Sequence, residues 1–113
     1  MSNIYDYAYE LEKSIRKTDE YMRLKQAVQA VKRDPNANRM FDGFRQMQNR
    51  LQEKSMRGEP ISQHETNQIQ QQMQAAQTNP LIAQLMIAEQ KLSVLLSDVN
   101  KIMSRPLEEL YGK

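Results

Sequence analysis

Cysteine and tryptophan are absent from this sequence of 113 residues, which also contains only three glycines and one histidine. Without cysteine, the chain forms no disulfide, holds no thiolate metal site and carries no cysteine nucleophile. The lack of cysteine also fits a reducing compartment. His64 lies in a polar stretch, and no second histidine is available to share a metal. We therefore interpret His64 as a solvated residue and predict no metal site.

Catalytic motifs are missing in the same way. The sequence has no glycine-rich phosphate loop and no Gly-x-Ser-x-Gly elbow. Glu10 and Glu12 are two residues apart, and Glu108 and Glu109 are adjacent, so on a helix the members of each pair point to different faces. We predict no catalytic residues, no cofactor and no enzymatic activity.

Long hydrophobic runs are also missing. The most apolar segment, residues 81–96, is interrupted by Gln84, Glu89, Gln90 and Lys91, whereas a membrane span needs roughly 18 apolar residues. The first residues do not combine a basic region with a following apolar stretch, so they do not resemble a signal peptide. We predict a cytoplasmic protein with no membrane contact.

The residues that are present indicate helices from end to end. Candidate helix starts are marked by capping side chains and by two prolines, and they are Asn3, Thr18, Asp34 with Pro35, Ser62 with Glu65, and Asn79 with Pro80. Gly58 is placed to end the third helix. We predict one all-α domain, residues 1–113, with helices at 3–17, 19–33, 35–57, 63–77 and 80–104 and a short turn at 106–111.

The fifth predicted helix has more apolar residues than one face can hold, so neighbours must enclose it. Short connections favour an antiparallel hairpin, and the glutamine-rich fourth helix offers little apolar surface. A second copy of the chain is the simplest partner, so we predict a symmetric helical dimer. The predicted core or dimer contacts on this helix are Leu81, Ile82, Leu85, Met86, Leu92, Leu95, Leu96 and Val99.

The end of the sequence, "SRPLEELYGK", interrupts that helix with a proline. Pro106 predicts a bend near Arg105, because it lacks a backbone N–H. Leu107, Leu110 and Tyr111 then share one face, which we expect to fold back and pack on the helical bundle. A frayed terminus is the alternative.

Positive charge is concentrated in the middle of the chain, where residues 13–57 hold 12 Lys or Arg and 5 Asp or Glu. Four of these cations share one side of the third predicted helix: Arg39, Arg50, Lys54 and Arg57. We favour a solvated face. The alternative is an anion-binding face that contacts RNA or DNA phosphates or an acidic protein.

Several long segments resemble the YheA branch of the YlbF/YmcA-like family of Firmicutes. They include Phe41, Phe44 and Arg45 in the third helix, the Gly58–Glu59 corner, and the ending Pro106–Gly112. The resemblance covers nearly the whole chain.

This resemblance implies a small all-helical bacterial dimer with no known enzymatic activity. It also implies kinship with adaptors in RNA processing and in developmental decisions such as competence and biofilm formation. Some of those relatives hold iron–sulfur clusters through cysteines, a property that this cysteine-free chain does not share. Our leading hypothesis is a non-enzymatic helical dimer that acts through contacts with itself and with a further protein partner.

Overall fold

The structure is a computed structural model that describes residues 3–112. Within that range the chain forms five helices and no strand, which confirms the predicted all-α class. The helices are α1 (Ile4–Arg16), α2 (Asp19–Arg33), α3 (Pro35–Arg57), α4 (Gln63–Thr78) and α5 (Pro80–Leu110).

Side-chain caps begin these helices as the sequence predicts. Asn3 accepts hydrogen bonds from two backbone N–H groups of the first turn of α1. Asp34 accepts from the backbone N–H of Ala37 at 3.0 Å, and Asn79 accepts from the N–H of Leu81 at 3.0 Å. Each cap satisfies donors that the helix itself leaves unpaired.

Gly58 ends α3 in the left-handed conformation, with φ at 71°. A side chain would strain this conformation, so glycine is the residue that suits it. Ser62 and Glu65 then open α4 with a reciprocal capping box, in which each side chain binds the other residue's backbone N–H. The chain therefore reverses direction within a few residues.

The described residues belong to two compact units, one formed by Met1–Gln26 with Ile87–Lys113 and the other by Ala27–Met86. Helices α2 and α5 each contribute to both units. The single domain predicted over residues 1–113 stays a prediction.

The second unit contains most of the buried apolar side chains. They are Val31, Ala37, Met47, Ala76, Ile82 and Leu85. Within this unit α3 and α4 pack as an antiparallel hairpin, as the short connection predicts. Near the turn, Lys54 pairs with Glu65. At the far end, the amide nitrogen of Asn79 lies 3.6 Å from the sulfur of Met40.

The first unit is much less enclosed. Among the described residues of this unit, Ala88 has the one buried apolar side chain. Its other inward-facing apolar side chains are half-buried, and they are Leu11, Ile15, Tyr21, Leu24, Leu92, Leu95 and Val99. The apolar surface that this unit can bury by itself is therefore small.

The predicted end of the fifth helix is wrong. Helix α5 does not stop at residue 104; it continues through Pro106 to Leu110. Proline removes one backbone donor, but every residue from Asn100 to Gly112 is exposed, so solvent can satisfy the freed carbonyl. The Leu107-Glu108-Glu109-Leu110 sequence that follows also favours helix.

The predicted packing of the C-terminal turn is wrong for the same reason. Leu107, Leu110 and Tyr111 are 57%, 82% and 74% exposed, so they do not cap the bundle. The continuing helix carries Leu107 and Leu110 onward along its own axis.

Candidate interaction surface on the fifth helix

The first turns of α5 are occupied by internal packing. Of the predicted contact residues, Ile82 is fully buried and Leu85 is 3% exposed, while Leu81 is half-buried. Met86 is 43% exposed. This part of the predicted set therefore contributes mainly to the core of the second unit.

The remaining predicted contacts lie in the first unit, where α5 is only partly covered. Leu92, Leu95 and Val99 are half-buried, and Leu96 is 38% exposed. From Asn100 onward the helix is exposed on all sides. The cover over α5 thus decreases steadily toward its C-terminal end.

One line of apolar side chains follows this increasingly exposed half of α5. We call it the α5 stripe, and its residues are Leu92, Leu96, Val99, Met103, Leu107 and Leu110. At about 100° per residue, the six side chains fall within an arc of about 80° and extend along about 27 Å of helix. Met103, Leu107 and Leu110 are each more than half exposed.

Charged side chains occupy the opposite side of the same half-helix. Asp98, Lys101, Arg105 and Glu108 all lie more than about 120° from the centre of the α5 stripe. This separation makes the C-terminal half of α5 amphipathic, which is typical of a helix that buries one face.

A groove of about 520 Å³ runs beside the α5 stripe. Leu24 of α2 forms one wall, and Leu92 and Leu96 of the stripe belong to its lining. Small polar side chains provide four further positions, Ser93, Ser97, Asn100 and Ser104, and the charged side chains of Glu89, Lys101 and Glu108 complete the lining. Short side chains such as those of the serines let a second helix approach closely.

Glu89 is the most N-terminal residue of α5 in the lining of this groove. Partial burial raises the pKa of its carboxyl group above the usual value, because removal of water disfavours the charged form.

A second apolar patch lies on the other face of α5. Ile87 and Val94 are 51% and 56% exposed, and with Glu20, Gln90 and Lys91 they line a groove of about 500 Å³. Val94 lies about 180° from the centre of the α5 stripe. The two patches are therefore separate surfaces, and the second has only two large apolar residues.

The predicted anion-binding face is partly engaged within the chain. Arg39, Arg50 and Arg57 are exposed, but Lys54 forms an ion pair with the buried carboxylate of Glu65. Arg50 also lines a cleft of about 410 Å³ between α3 and α4 that contains Gln68, Gln71 and Gln72. The four cations thus do not form one uniform basic surface.

The predicted contact residues end at Val99 and do not contain Met103, Leu107 or Leu110. Leu107 and Leu110 fall outside the predicted helix because Pro106 predicts its end, whereas Met103 lies within the predicted helix. The spacing from Met103 to Leu107 and Leu110 is four and then three residues, and it continues the helical pattern across the proline. That continuity is the signal that would have extended the stripe.

Features of metal chemistry or membrane insertion are not found in the described part of the chain. Between residues 3 and 112, no cluster of three or more His, Asp or Glu side chains is close enough to hold a metal ion. His64 is exposed in the first turn of α4. None of the five helices is long and apolar enough to cross a membrane.

Comparison with known proteins gives a family match over almost the whole chain. The family model described as "Control of competence regulator ComK, YlbF/YmcA" matches residues 4–108. That range contains the hairpin, the groove and all of the α5 stripe except Leu110.

Individual relatives are similar over the same length. A UPF0342 protein of Bacillus velezensis is 50% identical, with 97% of this chain and 95% of the relative covered. The UPF0342 protein YheA of Bacillus subtilis is 48% identical, with coverage of 97% and 94%. A solved structure, the "Protein of Unknown Function (DUF964) from Bacillus stearothermophilus", superposes with a TM-score of 0.85 at 41% identity, covering 97% of this chain and 96% of the other.

Proposed function

We propose, from the premise that this chain belongs to the family described as control of the competence regulator ComK, YlbF/YmcA, that it works through protein contacts and not through catalysis. We propose further that two copies associate through the α5 stripe, and that the dimer is a regulatory adaptor in the cytoplasm. The family description names control of a regulator, which is the kind of role that an adaptor performs.

The observation that carries the proposal is the exposed apolar surface of α5. Met103, Leu107 and Leu110 are 59%, 57% and 82% exposed, and they continue a line that begins with the half-buried Leu92. Large apolar patches on a monomer usually mark a contact surface. The first unit also buries little apolar surface by itself, so a second copy would supply the cover that it lacks.

Charge supports a second copy as the occupant. The segment from Leu96 to Leu110 contains Lys101 and Arg105 as well as Asp98, Glu108 and Glu109. Neither sign dominates, so two copies do not repel each other strongly and no highly charged partner is selected. Two facing stripes of about 27 Å would bury on the order of 1,000 Å² in total, which reaches the lower limit for a specific interface.

Sedimentation equilibrium at micromolar concentration tests this proposal. We expect a dimer for the unmodified chain and a monomer for Leu107→Glu, because a carboxylate within the apolar contact must lose its water. The circular dichroism spectrum of Leu107→Glu should match that of the unmodified chain, since the side chain of Leu107 is exposed in the single chain.

Val94→Glu is the matched control. Val94 lies on the same helix and is 56% exposed, close to the 57% of Leu107, but it faces the opposite way. The control should remain a dimer. A monomeric unmodified chain would refute self-association, and a dimer disrupted by Val94→Glu but not by Leu107→Glu would move the interface to the other face.

A further inference from the structure

We infer that the two α5 helices of the proposed dimer run antiparallel, so that the C-terminal end of each stripe lies on the groove beside Leu92 and Leu24 of the other copy. This inference rests on the self-association proposed above. It adds the direction of the contact and the segment that fills the groove.

The uneven burial of α5 is the first argument. Ile82, Leu85 and Ala88 are buried in the first third of the helix, whereas every residue from Asn100 to Gly112 is exposed. In a parallel pair, the two covered ends would lie side by side, and the side chains that cover them would compete for the same space. An antiparallel pair places the covered ends at opposite ends of the contact.

The groove is the second argument. Its lining includes the half-buried Leu24 and Leu92. The most exposed member of the stripe, Leu110, lies at the other end of the helix. An antiparallel two-fold contact brings Leu110 of the second copy to the groove, and the same contact is made twice.

The spacing of the stripe is the third argument. If the two stripes overlap over their full length, the two-fold axis passes beside residue 101, because that position is midway between Leu92 and Leu110. Leu92 then faces Leu110 of the second copy, and Val99 faces Met103 of the second copy. Leu96 faces Leu107 of the second copy with an offset of one residue. The stripe therefore matches its own reversed copy, as an isologous interface requires.

The short polar side chains beside the stripe allow this approach. Ser93, Ser97 and Ser104 line the groove and are too short to hold a second helix away, while the longer Lys101 and Glu108 of the same lining lie on the side of α5 that faces away from the stripe. The serine hydroxyl groups can hydrogen-bond to backbone carbonyls of their own helix, so a neighbouring helix does not leave them unpaired.

Disulfide trapping tests the direction, because the chain contains no cysteine and each single-cysteine variant has one thiol. Leu96→Cys and Leu107→Cys are prepared separately, and one of them carries an affinity tag. The tag gives the mixed disulfide-linked dimer and the two like-with-like dimers different electrophoretic mobilities. The two proteins are mixed under reducing conditions, allowed to exchange subunits and then oxidised.

We expect the mixed disulfide between positions 96 and 107 to be about tenfold more abundant than either like-with-like disulfide. Like positions would be offset by about 16 Å along the helix axis, which is beyond the reach of a disulfide. Val94→Cys, mixed with either variant, should give little cross-linking because position 94 faces away from the contact.

The outcomes separate the inference from the function on which it rests. Sedimentation of the reduced variants shows whether the dimer exists. If a dimer forms but the like-with-like disulfides dominate, the helices are parallel and the inference is overturned while self-association stands. If a dimer forms and no disulfide appears at positions 96 or 107, the contact lies elsewhere. If neither variant nor the unmodified chain dimerises, both proposals fail.

Discussion

Lys54 near the end of α3 forms an ion pair with Glu65 in the first turn of α4, and this pair ties the two helices together at their connection. Glu65 is 5% exposed, and one of its oxygens also accepts from the backbone N–H of Ser62 at 3.1 Å and from its hydroxyl at 2.8 Å. The carboxylate therefore serves both as a helix cap and as the partner of a cation on the neighbouring helix.

The pH dependence of stability should report this carboxylate. The hydrogen bond from Lys54, together with those from Ser62, lowers the pKa of Glu65 from 4.5 to about 2. A lowered pKa in the folded state means that the stabilisation is complete above pH 4.5 and is lost as the pH falls toward 2. The melting temperature of Glu65→Gln should therefore lie below that of the unmodified chain at neutral pH, and the difference should shrink in acid.

Thermal melts of both proteins at a series of pH values provide the measurement. In a Lys54→Met background, Glu65→Gln should have a smaller effect at neutral pH, because the cation that binds the carboxylate has been removed. A difference in melting temperature that stays constant down to pH 2 would contradict the role given to Glu65.

Gly43, in the middle of α3, should be replaceable by alanine with a gain in stability. A Cβ atom at this position would lie 3.6 Å from Nε2 of Gln72, which is an ordinary contact. Alanine favours an internal helix position over glycine by about 1 kcal/mol. We expect Gly43→Ala to raise the free energy of unfolding by up to about 1 kcal/mol in urea denaturation.

Gly58→Ala is the matched comparison for that substitution. Gly58 has φ at 71° and no atom within 4 Å of an added Cβ, so its replacement meets backbone strain alone. We expect a loss of about 1 kcal/mol. If both substitutions changed stability in the same direction, backbone conformation would not be the property that distinguishes the two glycines.

Ile82 should be among the most sensitive positions of the core. It is fully buried in the second unit, so Ile82→Ala removes buried methyl groups and leaves a cavity. The expected cost is about 2–5 kcal/mol of unfolding free energy. Ile87→Ala, on the same helix but 51% exposed, should change stability by less than about 1 kcal/mol. Equal losses for the two variants in chemical denaturation would contradict the burial of Ile82.

Pro106→Ala should strengthen the last turns of α5. The substitution restores a backbone N–H that can bind the carbonyl of Ile102 four residues earlier, and a proline inside a helix costs about 3 kcal/mol relative to alanine. We expect slower hydrogen exchange of the amides between residues 106 and 110. Unchanged exchange there would indicate that the helix is already interrupted at the proline in solution.

Much of the local structure follows from side chains that act within a few residues of each other. The side chains of Asp34 and Ser62 accept hydrogen bonds from backbone N–H groups in the first turns of α3 and α4. The backbone N–H of Gly58 binds carbonyl groups in the last turn of α3. Such effects need no knowledge of distant contacts. For that reason the sequence by itself predicts the all-α class and the caps that begin α1, α3, α4 and α5.

The division of apolar residues between core and surface depends on distant contacts, so the tertiary structure decided it. The sequence places Ile82 and Leu96 in one set of apolar positions, yet one is fully buried and the other is 38% exposed. Helical periodicity shows that a residue lies on an apolar face, but not how far the rest of the chain covers that face.

Pro106 shows the same limit at the end of α5. The proline correctly marks the loss of one backbone hydrogen bond, and from sequence this loss predicts a break. In the structure the surrounding residues are exposed, so solvent can satisfy the carbonyl and the helix continues to Leu110. The sequence by itself determined an all-α chain whose helices begin at capping side chains, and an excess of apolar side chains on the last helix. The tertiary structure decided which of those side chains are covered, because burial depends on packing between residues far apart in the chain.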